Sequence, residues 1–284
     1  MKRRIKKHII VIYSFLLLFT IVNCTKKEDY NVTNLNHNTV MVLGHRGMGE
    51  HFQYPGNTIE AVLPVLQIGA DGSELDIQIT KDSVLVLFHN NELDGRTKCS
   101  GRIIDYNWDE IKNCRYSALQ TDVKLICVDE LFSNIENLNE YYFAFDCKLT
   151  VDNPYDISYR KTFLRAIKLI SNKYRMSGNI FIEGDLGFLQ IAKELGLTNK
   201  GFLIGSSVDK AIENNFFGIG ASLNTSADTI NYAHENGIYV MMWGAKTDLG
   251  NKQALKLNPD IIQTDKPIPL LMLLDRMNYN YTEP

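Results

Sequence analysis

The stretch Ser73–His89, "SELDIQITKDSVLVLFH", decides how this chain folds. Two β-rich runs, Ser73–Ile79 and Val84–His89, are separated only by Thr80-Lys81-Asp82-Ser83. A parallel crossover needs about a dozen residues or more, so these runs predict an antiparallel hairpin. Elsewhere short strand patterns alternate with longer helical ones. The strand runs are Met41–His45, Ser73–Gln78, Tyr141–Leu149, Asn179–Glu183, Gly201–Ile204, Phe217–Ala221, Ile238–Trp243 and Asp260–Thr264. Helical patterns fall near 57–68, 129–137, 158–174, 186–195, 207–214, 226–236 and 248–257, with a last one from Pro267 to Met277. Ser226-Ala227-Asp228 and Thr247-Asp248 supply N-cap residues, and Gly69, Gly196 and Gly237 sit where helices end. Eight strands, each followed by a helix, predict an α/β fold, a (β/α)8 TIM barrel over about residues 40–280. The hairpin is then an insertion between strand 2 and helix 2, about residues 79–128. Its second strand overruns the barrel mouth, folds back, and carries His89 down beside Glu74 and Asp76.

The rest of the chain bounds its surroundings. Lys2, Arg3, Arg4, Lys6 and Lys7 precede the apolar run Ile9–Val22, interrupted by Tyr13, Ser14 and Thr20. A basic head and an apolar run short of a membrane span predict an export signal over 1–24. Its end, Ile21-Val22-Asn23-Cys24, resembles the lipobox of bacterial lipoproteins, although Asn23 replaces the usual Gly or Ala. The expectation is export into the bacterial envelope and attachment to the membrane by a lipid on Cys24. An ordinary cleaved signal and an uncleaved anchor are the alternatives. Residues 25–39, "TKKEDYNVTNLNHNT", read as a flexible polar tether. Without the signal's five basic residues the charge moves from −3 to near −8, and no block of basic residues longer than the pair Lys26-Lys27 remains. Nucleic acid is therefore not an expected partner, because neutralising its backbone takes clustered Lys and Arg. Cys99, Cys114, Cys127 and Cys147 show no zinc spacing. An oxidising envelope allows one disulfide, with Cys99–Cys114 the favoured pair.

In a TIM barrel, chemistry sits at the C-terminal ends of the strands. There the sequence places His45 and Arg46 after strand 1, Glu74 and Asp76 on strand 2, His89 on the returning hairpin, and Asp146 and Lys148 on strand 3. Residues two apart share one face of a strand, so each pair points the same way. Taken singly, these are ordinary: a structural imidazole, a solvated Glu-x-Asp face, an exposed ion pair. Their recurrence at one end of successive strands is not. Three converging carboxylates repel unless a cation intervenes, and an all-oxygen set suits Mg²⁺ or Ca²⁺. Arg46 and Lys148 beside such an ion suit a phosphate, and two histidines suit acid–base work near neutral pH. Together they predict phosphodiester cleavage.

The same residues resemble the glycerophosphodiester phosphodiesterase family. The matching pieces are "GHRG" at 44–47, "NTIEAV" at 57–62, "GADGSELDIQITKDSVLVLFHNNEL" at 69–93, "GRIID" at 101–105, "FDCKL" at 145–149 and "NPDIIQTDKP" at 258–267. The resemblance implies a barrel with an insertion after strand 2. It also implies a glycerophosphodiester substrate hydrolysed to an alcohol and glycerol phosphate, with His45 and His89 as acid and base. Arg46 and Lys148 would contact the phosphate, and Glu74, Asp76 and Asp146 would hold the metal. Trp243, Glu183 and Asp265, at other strand ends, are expected to line the pocket, with a core role for Trp243 and a helix cap for Asp265 as alternatives.

Three positions depart from the family pattern. Gly56 stands where the family has Glu, with Glu50 or Glu60 as possible replacements. Asn90 follows His89 in place of Asp, and Asp146 replaces the longer Glu. Two further readings remain open: a phosphodiesterase acting on phospholipid, and a non-catalytic glycerophosphate-binding lipoprotein.

Overall fold

A computed structural model describes residues 30–117, 122–205 and 207–281. The predicted signal, with Cys24, lies outside them, as does the first part of the tether. Among the described residues no helix is long and apolar enough to cross a membrane.

Eight parallel strands close into a barrel: β1 (Met41–His45), β2 (Gly72–Ile79), β4 (Tyr142–Cys147), β5 (Ile180–Gly184), β6 (Lys200–Ile204), β7 (Gly218–Ser222), β8 (Tyr239–Ala245) and β9 (Ile261–Thr264). β1 pairs with β2 on one side and β9 on the other, which shuts the ring. The remaining strand, β3 (Leu85–Leu87), runs antiparallel to β2, with Ile77 opposite Leu87. This is the predicted hairpin. Its turn is made by Thr80, whose N–H and hydroxyl both pair with Val84, and by Ser83 in the left-handed region. The helices, in chain order, are α1 (Ile59–Gln67), α2 (Trp108–Ile111), α3 (Val128–Ser133), α4 (Ile157–Tyr174), α5 (Leu186–Glu194), α6 (Val208–Glu213), α7 (Ala227–Glu235), α8 (Asp248–Lys256) and α9 (Pro267–Leu273). Of these, α2 belongs to the insertion, and the others follow the barrel strands.

Alternation along the strands sorts the interior into layers. Register places Leu43, Ala144, Phe181, Phe202, Met241 and Ile261 in one apolar cluster inside the ring. Two residues further along the strands, the same faces present His45, Glu74, Asp146 and Glu183. Each large apolar side chain so buried contributes about 1.5–3 kcal/mol. That is the support on which a polar upper layer can stand. The insertion has a cluster of its own, including Phe88, Leu93, Ile103, Ile111 and Tyr116. The expected Cys99–Cys114 bridge, with Cα atoms 6.0 Å apart, ties it across 15 residues.

Differences from the sequence reading lie at element ends and in the tether. The helix expected over 129–137 stops at Ser133, and a separate 3-10 turn covers Leu138–Glu140. Helix α1 begins later than 57, because Asn57 is in the left-handed region and Thr58 is the cap residue. The last helix ends at Leu273, four residues short of Met277. Ser226 and Thr247 do accept cap hydrogen bonds, and Gly69, Gly196 and Gly237 have positive φ as C-terminal glycines should. The end of the expected tether is not free. Thr33 bonds to Asn258, Asn34 to the Pro259 carbonyl, and Asn36 to Asp260.

Candidate active site

The β1–α1 loop folds back on itself immediately after His45. Gly47 (φ 96°) and Gly49 (φ 93°) make this possible: a Cβ would lie 2.3 Å from the Ala61 carbonyl oxygen at Gly47, and 2.2 Å from that of Asp265 at Gly49. Arg46, itself left-handed, donates its N–H to both the backbone and the carboxylate of Glu74 (3.1 and 3.0 Å). The loop is thus stitched to β2, and His45 and Arg46 face the barrel mouth.

The predicted residues converge there, with Asp76 buried beside Glu74 and Asp146 and the others lining the mouth. A cavity of about 370 Å³ at the C-terminal end of the barrel is lined by His45, Arg46, Glu74, His89, Asp146 and Lys148. Glu183, Trp243 and Asp265 line it too. Trp243 is half exposed, at 49%, and so is not core. A larger groove of about 440 Å³, beside Lys200 and Phe217 at the other end of the barrel, contains none of the predicted site residues.

Glu74, Asp76 and Asp146 offer carboxylate oxygens all within 4.8 Å of one another. Burial, then Asp76, Asp146 and Glu183, push Glu74 well above the usual carboxylate range. Burial and Asp146 push Glu183 up to about 8. Asp76 moves the other way. Burial alone would raise it, but Lys148, Arg46, His89 and an Asn57 hydrogen bond together hold it low. Arg46 Nε lies 2.9 Å from Asp76 Oδ2, and Lys148 Nζ lies 3.1 Å from Asp76 Oδ1 and also pairs with Asp146. Excess negative charge in a buried oxygen cluster is what a hard divalent cation relieves. Moreover, buried Asp76 Oδ1 makes no aligned hydrogen bond among the described residues, only the 3.1 Å ion pair with Lys148. The donor set fits Mg²⁺ or Ca²⁺.

The two imidazoles are oriented differently. His45 Nδ1 sits 2.6 Å from Asp265 Oδ1, which also accepts the Glu50 N–H. This leaves His45 Nε2 turned inward, 3.8 Å from Glu74. Asp265 is no helix cap, since Lys266 occupies that position before α9. His89 Nδ1 lies 3.1 Å from the Asn90 side-chain oxygen, so the departure at 90 still supplies an orienting partner. Buried Gln78 holds this loop from below, donating to the Phe88 and Asn90 carbonyls on either side of His89. Phe88 N–H bonds to the Asp76 carbonyl, which puts the hairpin end next to the carboxylates.

Sequence reasoning missed Asn57 and Gln78 and gave Asp265 too small a part. Asn57 donates to Asp76 Oδ2 (2.7 Å) and accepts the Asp76 N–H, so it fixes that carboxylate. Neither suggested replacement for the carboxylate missing at Gly56 takes that place. Glu50 pairs with Lys246 at the cavity edge, and neither Glu50 nor Glu60 lines the cavity. The room at Gly56 goes to Arg46, whose Cβ would lie 2.7 Å from any Cβ added there.

The chain is similar to several known proteins. A 72-residue stretch is 42% identical to a Caldanaerobacter subterraneus glycerophosphodiester phosphodiesterase, covering 25% of this chain and 29% of that protein. The chain thus spans under a third of that curated relative's length. A Parabacteroides distasonis glycerophosphodiester phosphodiesterase superposes with a TM-score of 0.71 at 20% identity, over 84% of this chain and 98% of that one. An Oleispira antarctica phosphodiesterase, solved with the product sn-glycerol-3-phosphate, superposes at 0.70 with 16% identity, over 83% and 96%. These two likenesses establish a shared fold. Residues 45–268 match the glycerophosphoryl diester phosphodiesterase family, and the chain belongs to that family.

Proposed function

We propose that the chain is an exported, lipid-anchored hydrolase that cleaves glycerophosphodiesters to an alcohol and sn-glycerol 3-phosphate. The observation that carries this reading is the cluster of Glu74, Asp76 and Asp146, set between two oriented imidazoles and two cations inside one cavity. The phosphate ligand of the Oleispira relative supports the same substrate class. Glu74, Asp76 and Asp146 would hold Mg²⁺ or Ca²⁺. Such an ion, when bound, offsets charge on the phosphoryl oxygens. Arg46 and Lys148, freed from Asp76, bind the same oxygens as a fork and a point charge.

His45 and His89 flank the reacting phosphorus. One takes the proton from the attacking oxygen as the P–O bond forms, and the other protonates the leaving alkoxide as its P–O bond breaks. The glycerol 2-hydroxyl attacks first, giving a cyclic phosphate that water then opens. Asp265 keeps His45 in the tautomer whose Nε2 faces the substrate. The test is choline release from glycerophosphocholine with Mg²⁺ or Ca²⁺, repeated with EDTA. Metal-dependent release is expected. Binding without release would favour the glycerophosphate-binding protein instead.

A further inference from the structure

At the end of the barrel away from the carboxylates, the chain ahead of β1 is clasped. Asn258 Oδ1 accepts the Thr33 N–H at 2.9 Å, and Asn258 Nδ2 donates to the Thr33 carbonyl at 2.6 Å and to its hydroxyl at 3.2 Å. Asn34 donates to the Pro259 carbonyl, and Asp260 accepts the Asn36 N–H. Tyr239 donates its hydroxyl to the Leu35 carbonyl at 3.1 Å. Tyr239 opens β8, and Asn258–Asp260 lead into β9. Residues 33–36 are therefore fastened at the N-terminal ends of the strands, opposite the catalytic mouth.

The same tyrosine joins the clasp to the 440 Å³ groove at that end. Its ring stacks on Phe217 with centroids 4.2 Å apart, and the Lys200 ammonium lies 4.5 Å from the Phe217 centroid. Phe181 is the second ring beside Lys200, at 5.7 Å. Among the described residues these two rings are the partners of the Lys200 ammonium, and no hydrogen bond or ion pair joins them. Burial holds Lys200 below the usual lysine range, with no carboxylate to offset it. Lys193 lines the same groove, and no Asp or Glu does. In a chain of net charge −3, two lysines without an acid are a local exception. A partly buried cation without a counter-charge is costly, and what this groove lacks is an anion.

We propose that this end of the barrel docks on anionic phospholipid headgroups, whose phosphates fill the groove of Lys193 and Lys200, so that the catalytic mouth opens away from the bilayer. The proposal rests on the lipid attachment at Cys24 that belongs to the function proposed above. Cys24 precedes Thr33 by nine residues, at most about 32 Å of extended chain. Without the clasp the chain would be free as far as Met41, seventeen residues and about 60 Å from Cys24, enough for either end of the barrel to reach the membrane. The clasp roughly halves that reach and assigns it to one end. Lys26 and Lys27 fall within the same short stretch. A soluble anion would suit the two groove lysines equally well; the nine-residue reach is what favours a headgroup. Each lysine adds only a modest attraction to an anionic surface, so the groove orients a molecule that the lipid already holds.

The experiment places the lipidated protein in vesicles of phosphatidylethanolamine with phosphatidylglycerol, and in vesicles of phosphatidylcholine alone. Both carry brominated acyl chains, which quench nearby tryptophan. The two native tryptophans, Trp108 of the insertion and Trp243 at the mouth, should keep their emission in both. Thr198→Trp, at an exposed position of the groove, adds emission that the anionic vesicles should quench. Adding Lys193→Gln/Lys200→Gln to it should lower the ratio of docked to undocked molecules about 10- to 30-fold, with glycerophosphocholine turnover unchanged. Quenching of Trp243 overturns the proposal. So does quenching of Thr198→Trp that is absent, indifferent to phosphatidylglycerol, or retained in the lysine variant shown by thermal melt to be folded. Absent quenching, together with calorimetric inorganic phosphate binding that the lysine variant loses, would give the groove to a soluble anion instead. Protein that floats with neither vesicle removes the lipid attachment and the docking with it, whereas floating protein without the quenching pattern removes the docking alone.

Discussion

Replacing Asp265 by Asn tests whether the imidazole of His45 works only when held. The carboxylate sits 2.6 Å from His45 Nδ1 and is almost wholly buried. Burial alone would raise Asp265, yet the His45 contact and the Glu50 N–H hold it below the usual carboxylate range, so it stays charged near neutrality. A hydrogen bond to a charged partner is worth about 1.5–3 kcal/mol, and about 1.4 kcal/mol is one decade of rate. Asn keeps the size and an oxygen for the Glu50 N–H but loses the charge that favours an imidazolium. Asp265→Asn should therefore lower kcat about 10- to 100-fold. KM should move less than about threefold, since Arg46, Lys148 and the ion bind the phosphate. The assay is initial-rate release of choline from glycerophosphocholine, with a thermal melt to show that the variant is folded. A folded Asp265→Asn with wild-type kcat would refute the argument. So would a loss confined to KM.

His89→Ala should lose about 10²–10⁴-fold in kcat, and whichever histidine is the acid should be rescued selectively by a p-nitrophenyl diester, whose leaving group needs no proton. Asp146→Glu should keep or raise both activity and calorimetric Mg²⁺ affinity, whereas Glu74→Ala should abolish both. The metal-free protein should melt at lower temperature as pH rises from 5 to 8. Glu74 and Glu183 hold protons in the folded state that the unfolded chain releases near 4.5, so this stability is present at low pH and lost through about 8. Added Mg²⁺ should flatten that slope; a melting curve indifferent to pH would count against the buried pair. Cys24→Ser should move the protein from membrane to soluble fractions with activity intact, and unchanged membrane retention would indicate an uncleaved anchor.

Residues that share a strand face were readable from sequence because alternation is a local rule. Glu74 and Asp76, or Asp146 and Lys148, need nothing but a spacing of two. His89 was readable through one longer inference, the loop too short for a crossover. The relationships across the barrel were not. Asp265 is 220 positions from His45, Gln263 is 80 from Glu183, and no pattern in the intervening chain records either contact. Asn57 was hidden differently, since its role depends on a left-handed backbone before α1 and on an amide aimed at Asp76. Helix ends shifted for a similar reason, as at Ser133, where tertiary packing and not periodicity set the stop.

The closing of the ring between β1 and β9 sets a schedule for the molecule. The first barrel strand finds one of its two neighbours only after nearly all the remaining chain has been made. Pairings so distant along the chain form late and slowly, because loop entropy opposes them until the intervening segments are compact. β9 also delivers Asp265, so the partner of His45 arrives with the final stave. During refolding, helical signal should return before turnover does. A nascent chain can carry its carboxylates, its hairpin and its bridge and still be catalytically silent until its two ends meet.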